Sequence, residues 1–179
     1  MQHTQKQRDT WTDRIARGLM RRWAEVLTAI LFVYAGLPLL SPLLRSWGFD
    51  RAGRMIYGLY SQLCHQFADR SFFLAGYQVC YCHRCTALYS SLFVMSALYT
   101  LGRWRRAIDR RWALLLTLPM VIDGTWHLID DVLTNVALRS TDSGIGSLNF
   151  WLRIVTGVLF GVGVVLWAYP RAQRELGEI

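Results

Sequence analysis

The chain has 179 residues, 53% of them hydrophobic and 18% charged, with a formal net charge of +8. That is the length of one domain, and it carries more apolar surface than a soluble domain of this size can hide, so a lipid bilayer is its expected solvent. Nucleic acid is not an expected partner: the nineteen arginines and Lys6 fall between apolar runs and form no recognition motif.

Residues 1–23 are polar and basic (Lys6, Arg8, Arg14, Arg17, Arg21, Arg22) and read as a cytoplasmic N-terminal segment. The first apolar run, Ala24 to Leu44, spans about 30 Å as a helix. It exceeds a signal-peptide core and ends in Pro38-Leu39-Leu40-Ser41-Pro42, which predicts an uncleaved span with a kink or break near its outer end. In the connection that follows, Ile56, Leu59, Tyr60, Leu63 and Phe67 recur at helical spacing, the pattern of a short amphipathic helix lying in the interface. The second span, about Thr86 to Leu101, is too short to cross unless it begins nearer Tyr81, which draws Cys82 and Cys85 into its first turn. The third span is Trp112 to about Ile129 and the fourth Phe150 to Tyr169.

The reading is therefore all-α: four transmembrane helices plus one short interfacial helix, in a domain covering 24–169 with an outer Cys/His loop at 45–85 and a cytoplasmic tail at 170–179. Orientation follows from arginine. The N-terminal segment and the loop Gly102 to Arg111 hold eleven basic residues between them, whereas the loop after span three has only Arg139 against Asp130, Asp131 and Asp142. The positive-inside rule puts both termini in the cytoplasm, the cysteines outside, and the protein in the cell membrane as a multi-pass chain.

All four cysteines lie between Cys64 and Cys85, as Cys64-His65-Gln66 and Cys80-Tyr81-Cys82-His83-Arg84-Cys85. Three readings compete. Thiolate and imidazole are the ligands of tetrahedral zinc, and Cys82 and Cys85 with Cys64 and His65 make a Cys3His set, for which Cys80 or His83 can substitute. Alternatively, Cys82 and Cys85 meet a helix dipole and Arg84, which favour thiolate, and form a redox pair with Cys64 and Cys80 as partners. That layout resembles the disulfide-generating quinone reductases of bacterial inner membranes, but no cysteine lies between spans three and four, where their second pair sits. The third reading is two structural disulfides or buried thiols.

In span three, Asp123, His127, Asp130 and Asp131 share one face. A carboxylate as deep as Asp123 is costly unless paired, and Arg153 in span four is the expected partner. The pair either fixes helix register or belongs to a proton path, a metal set or cofactor ligation by His127. Gly157 and Gly161 have Gly-x-x-x-Gly spacing, which predicts close packing within the bundle in preference to a dimer seam. Trp47, Trp104, Trp112, Trp151 and Trp167 fall near span ends, as interfacial belts do.

The blocks Cys64-His65-Gln66, Arg70-Ser71-Phe72-Phe73, Gly76, Gln78 and Cys82-His83-Arg84-Cys85-Thr86, with Asp123-Gly124, Asn149, Arg153 and Thr156-Gly157 later, resemble the signature of an uncharacterised family of small predicted membrane proteins of bacteria and archaea. The similarity covers about residues 55–165. Ala87 stands where that family usually has Gly, His127 where it has Gln, and Cys80 is outside its pattern. The resemblance implies a shared set of three thiols, Cys64, Cys82 and Cys85, with His65, an odd number that suits a metal better than two disulfides. It supplies no reaction. The expected function is a zinc site at the outer face with a structural or binding role; the alternatives are a quinone-linked thiol oxidoreductase using Cys82 and Cys85, and an accessory subunit packed among other membrane protein subunits.

Overall fold

The structure is a computed structural model that describes residues 11–102, 106–133, 142 and 144–177. The N-terminal segment contains α1 (Trp11–Arg21), followed by α2 (Trp23–Ser46) and α3 (Asp50–Tyr60). After a 3-10 turn at Ala68–Arg70 come strands β1 (Ser71–Leu74) and β2 (Tyr77–Cys82), then α4 (His83–Thr100), α5 (Arg110–Leu133) and α6 (Leu148–Gly177). The protein is thus mostly helical with one antiparallel two-stranded sheet.

Among the described residues two helices, Trp23–Ser46 and Leu148–Leu176, are long and apolar enough to cross a membrane by length and composition. Neither α4 nor α5 is among them. At 18 residues α4 is short, and it carries Ser91 and Ser96 buried, while α5 carries the buried Asp123. Arg103 and Trp104 of the arginine-rich loop, and Arg139, lie outside the described residues.

The hairpin corrects the all-α expectation. Phe72 and Phe73 precede a two-residue turn, Ala75-Gly76, with φ of 50° and 81°. Positive φ at both central residues matches the right-handed twist of the flanking strands, so the turn favours a tight hairpin. The apolar spacing that suggested helix up to Phe67 belongs to α3 only as far as Tyr60; beyond it the chain turns, and Gln66 takes φ 53°. The basic N-terminal segment also proves periodic: Trp11, Ile15 and Leu19 expose one apolar stripe on α1, and α6 runs to Gly177, past the expected end of span four.

Helix α2 continues through both Pro38 and Pro42. Proline lacks the N–H that would bond the carbonyl four residues back, so Pro38 leaves the Tyr34 carbonyl without its helical donor. That oxygen accepts from the Tyr60 hydroxyl at 3.1 Å and the Tyr81 hydroxyl at 3.4 Å. The expected weak point of the helix is thereby where α3 and β2 dock. Ser41, fully buried, donates to the Gly53 carbonyl at 2.8 Å and fixes the α2–α3 crossing.

Helix α6 packs on both α4 and α5. A Cβ on Gly157 would stand 2.9 Å from the Arg84 carbonyl oxygen, and one on Gly161 would stand 2.0 Å from Ser91 Oγ and 3.0 Å from the Leu92 nitrogen. The glycine pair therefore serves packing within the bundle. At the other end of the bundle Thr28, Ser96 and Tyr169 share hydrogen bonds of 2.6 and 2.9 Å, with the rings of Trp23 and Tyr99 packed edge-on or tilted around them.

Replacing Gly161 with leucine forces α4 and α6 apart and costs about 2 kcal/mol or more, as overpacking does. Gly36→Ala, where nothing lies within 4 Å, leaves stability unchanged or raised. Thermal unfolding in a mild detergent measures both.

Candidate metal centre

Two chain segments bring the thiols together. Cys64 ends the turn after α3, where its N–H donates to the Tyr60 carbonyl at 3.1 Å. Cys82 closes β2 and is the N-cap of α4, and Cys85 sits in that helix's first turn. The Cys-x-x-Cys spacing suits one helical turn, and the helix begins there because β2 delivers the chain in extended conformation, with Cys82 at φ −70° and ψ 166°. The sulfurs of Cys64, Cys82 and Cys85 all lie within 4.8 Å of one another, and among the described residues they are the group able to hold a metal ion.

Gln66 holds the Cys64 segment in place. Its Nε2 donates to the carbonyls of Tyr57 at 2.9 Å and Cys80 at 3.1 Å, and its own carbonyl accepts from Gln78 Nε2 at 2.7 Å. One side chain thus joins α3, the loop and β2. It stood in the sequence beside Cys64 and His65, with no spacing signal to separate a structural glutamine from a ligand.

Hydrogen bonds join the three thiols. Thiols of Cys82 and Cys85 donate to the Cys64 sulfur, the backbone N–H groups of Gln66 and Cys82 add to them, and together they hold Cys64 far below the ordinary thiol range in spite of burial. The Cys82 N–H reaches that sulfur at 3.4 Å. Cys82 moves the other way, first because its thiol is bound to the Cys64 sulfur and then through burial. A cluster that favours one thiolate without metal is prepared for a cation that would ionise the others.

The remaining candidates are placed elsewhere. His65 is exposed on the rim and stacks on Phe67, ring centroids 5.8 Å apart, outside the thiol cluster. Cys80 is fully buried in the aromatic core beneath the site with Tyr60 and Tyr81, where burial raises its thiol. His83 is enclosed between Phe72 and Phe150, at 4.5 and 4.9 Å. None of the four cysteines is in a disulfide.

Asp123 pairs with Arg84, not with Arg153 as the sequence suggested. Arg84 lies within the Cys-x-x-Cys turn itself, and the fold turns it inward towards α5. The side chains of His127, Asp130 and Asp131 lie outside the described residues.

Thiols and charges share one cavity of about 600 Å³, with Cys64, Cys82 and Cys85 on its wall, Arg70, Arg84 and Arg153 around it, and His65 at its edge. A mostly helical chain with two membrane-length helices and a thiol cluster over them defines a class, the small helical membrane proteins. The chain belongs to the family described as predicted membrane protein (DUF2085), whose model matches residues 64–167, both halves of the thiol cluster included. It is similar to the uncharacterized protein MJ1492 of Methanocaldococcus jannaschii, 32% identical over 118 residues that cover 64% of this chain and 67% of the relative. No solved structure matches it.

Two variants report on this arrangement. Asp123→Asn strands the Arg84 guanidinium between helices and lowers stability by about 3 kcal/mol; thermal unfolding checks it, and Arg84→Met on the same background recovers part of the loss. Gln66→Ala leaves two carbonyls without donors, costs about 1–2 kcal/mol, and makes Cys64 react faster with an alkylating reagent.

Proposed function

We propose that this chain is a four-span protein of the cell membrane, with both termini cytoplasmic, that holds a zinc ion at its outer face through Cys64, Cys82 and Cys85, with His65 as the fourth donor. The observation that carries this reading is the grouping of three sulfurs within 4.8 Å, drawn from segments on either side of a hairpin. Zinc–sulfur bonds of about 2.3 Å in a tetrahedron require sulfurs about 3.8 Å apart, so the cluster needs only a small contraction. Three is also the wrong number for paired disulfides, and Cys80 is walled off in the core. His65 lies next to Cys64 on the rim of the same cavity and reaches the ion by leaving Phe67.

Four crossings are supported by length and by lipid-like surfaces. Helix α4 has 18 residues, about 27 Å, against a hydrocarbon core of about 30 Å. Helix α5 exposes Leu114, Leu115, Leu118, Val121 and Ile122. An even number of crossings keeps the N-terminal segment and the 102–111 loop, where basic residues concentrate, on one side. The ion's role is to fasten the Cys64 loop to the mouth of α4.

A second reading, a thiol oxidoreductase coupled to a quinone through Cys82 and Cys85, draws on the same cluster, because the Cys64 sulfur is held as thiolate within reach of both.

Elemental analysis of the purified protein decides between them. About one zinc per chain is expected, lost in Cys82→Ser and kept in Cys80→Ser. Acidification releases the metal, since protons compete for the thiolates. Zinc content unchanged by Cys82→Ser removes the metal reading. Cysteines that alkylate only after reduction, in a zinc-free protein, favour the oxidoreductase.

A further inference from the structure

The cavity beside the thiols has three arginines from three different elements: Arg70 from the 3-10 turn, Arg84 from the first turn of α4 and Arg153 from the second turn of α6. Two of them are met by carboxylates, Arg70 by Asp69 at 3.3 Å and Arg84 by Asp123. Arg153 is not. Only 3% of it is exposed, yet its Nη1 has no hydrogen-bond partner. The Nε of Arg84 is likewise without one. Arg70 and Arg84 are close enough to repel it, against a weaker attraction from Cys82 and Asp123.

A guanidinium buried with an unmet donor, facing like charges across a cavity, is stable in company with an anion that the cavity receives. The mouth of α4 adds to this. Its N-cap, Cys82, makes no side-chain capping bond, so the positive end of an 18-residue helix opens near the same space.

We propose that this cavity binds the phosphoryl group of an organic phosphate, its oxygens on Arg153, Arg84 and Arg70. Phosphate suits three guanidinium groups arriving from different directions, because it presents several oxygens around a tetrahedron, whereas a carboxylate presents two in one plane. The volume indicates an organic body: about 600 Å³ is the room of about twenty water molecules at roughly 30 Å³ each, far more than a bare oxyanion fills. Leu63 and Phe67 supply an apolar wall for the rest. The chemistry is shared by a soluble phosphate ester and a phospholipid headgroup, and the site stands above the membrane helices where either can reach it.

The inference does not rest on the metal. The test uses full-length protein in a neutral detergent, with glycerol phosphate as the soluble probe at constant ionic strength, and native mass spectrometry of protein extracted from nanodiscs containing phosphatidylglycerol. A melting temperature raised by glycerol phosphate assigns a soluble ester; one phosphatidylglycerol retained per chain assigns the headgroup. Arg153→Gln weakens the binding seen at least tenfold, whereas Arg54→Gln, at an exposed ion pair on α3, does not. Arg70→Gln, nearer the surface, weakens binding in the same assay and serves if the Arg153 variant does not fold. Wild-type protein that neither responds to glycerol phosphate nor retains lipid overturns the proposal, as does an Arg153→Gln protein that binds like wild type. Zinc measured in the same samples separates the two readings: zinc without phosphate binding sinks only this one, and phosphate binding by wild-type protein that holds no zinc sinks only the metal.

Discussion

The ion pair between Arg84 and Asp123 governs the thiol end of this protein. Arg84 stands between the two cysteines of the Cys-x-x-Cys turn, so the direction its side chain takes decides which way that turn faces. Asp123 is only 7% exposed, and either charge would be costly to bury there without the other. Helix α6 packs against α4 and α5 along its length; the pair closes the third side of that triangle at the level of the thiols. A buried pair contributes little net stability against an apolar replacement, but it specifies one arrangement over others. Here the arrangement specified is the one that puts Cys82 and Cys85 opposite Cys64.

Much of this was legible in the sequence, and the physical reasons are specific. Long apolar runs announce α2 and α6 because nothing else in a chain of this kind needs them. Cys64, Cys82 and Cys85 could be grouped because Cys-x-x-Cys fits a helical turn and the resemblance singled out the same three. The hairpin was not legible. Its strands have 4 and 6 residues, and Ala75 in the left-handed region gives no warning of a turn in the way that Asn would. α1 was hidden by its arginines, which raise the average polarity of the segment although the apolar stripe is regular. The partner of Asp123 was misread because helix-end arginines are ordinarily solvated, and only the packing of α6 shows that this one is not.

The core beneath the site explains why His65 and Cys80 behave so differently from their neighbours in sequence. Tyr34, Tyr60, Tyr81 and Tyr89 pack ring against ring across α2, α3, β2 and α4. Cys80 sits in that layer beside Tyr60 and Tyr81, whereas Cys82, at the strand's end, lines the cavity. His65 stands at the rim, stacked on Phe67.

Pro38 ties the thiol end of the protein to the winding of α2. The Tyr34 oxygen can receive the two tyrosine hydroxyls only because the proline's missing hydrogen leaves it vacant, and it is presented at a fixed point only once the surrounding turns of α2 are wound. Helix α2 therefore acts as a template: α3 and β2, which bring Cys64 and Cys82 to one place, share an anchor that only the wound helix presents. The thiol cluster thus depends on one backbone oxygen of a helix that supplies none of its sulfurs.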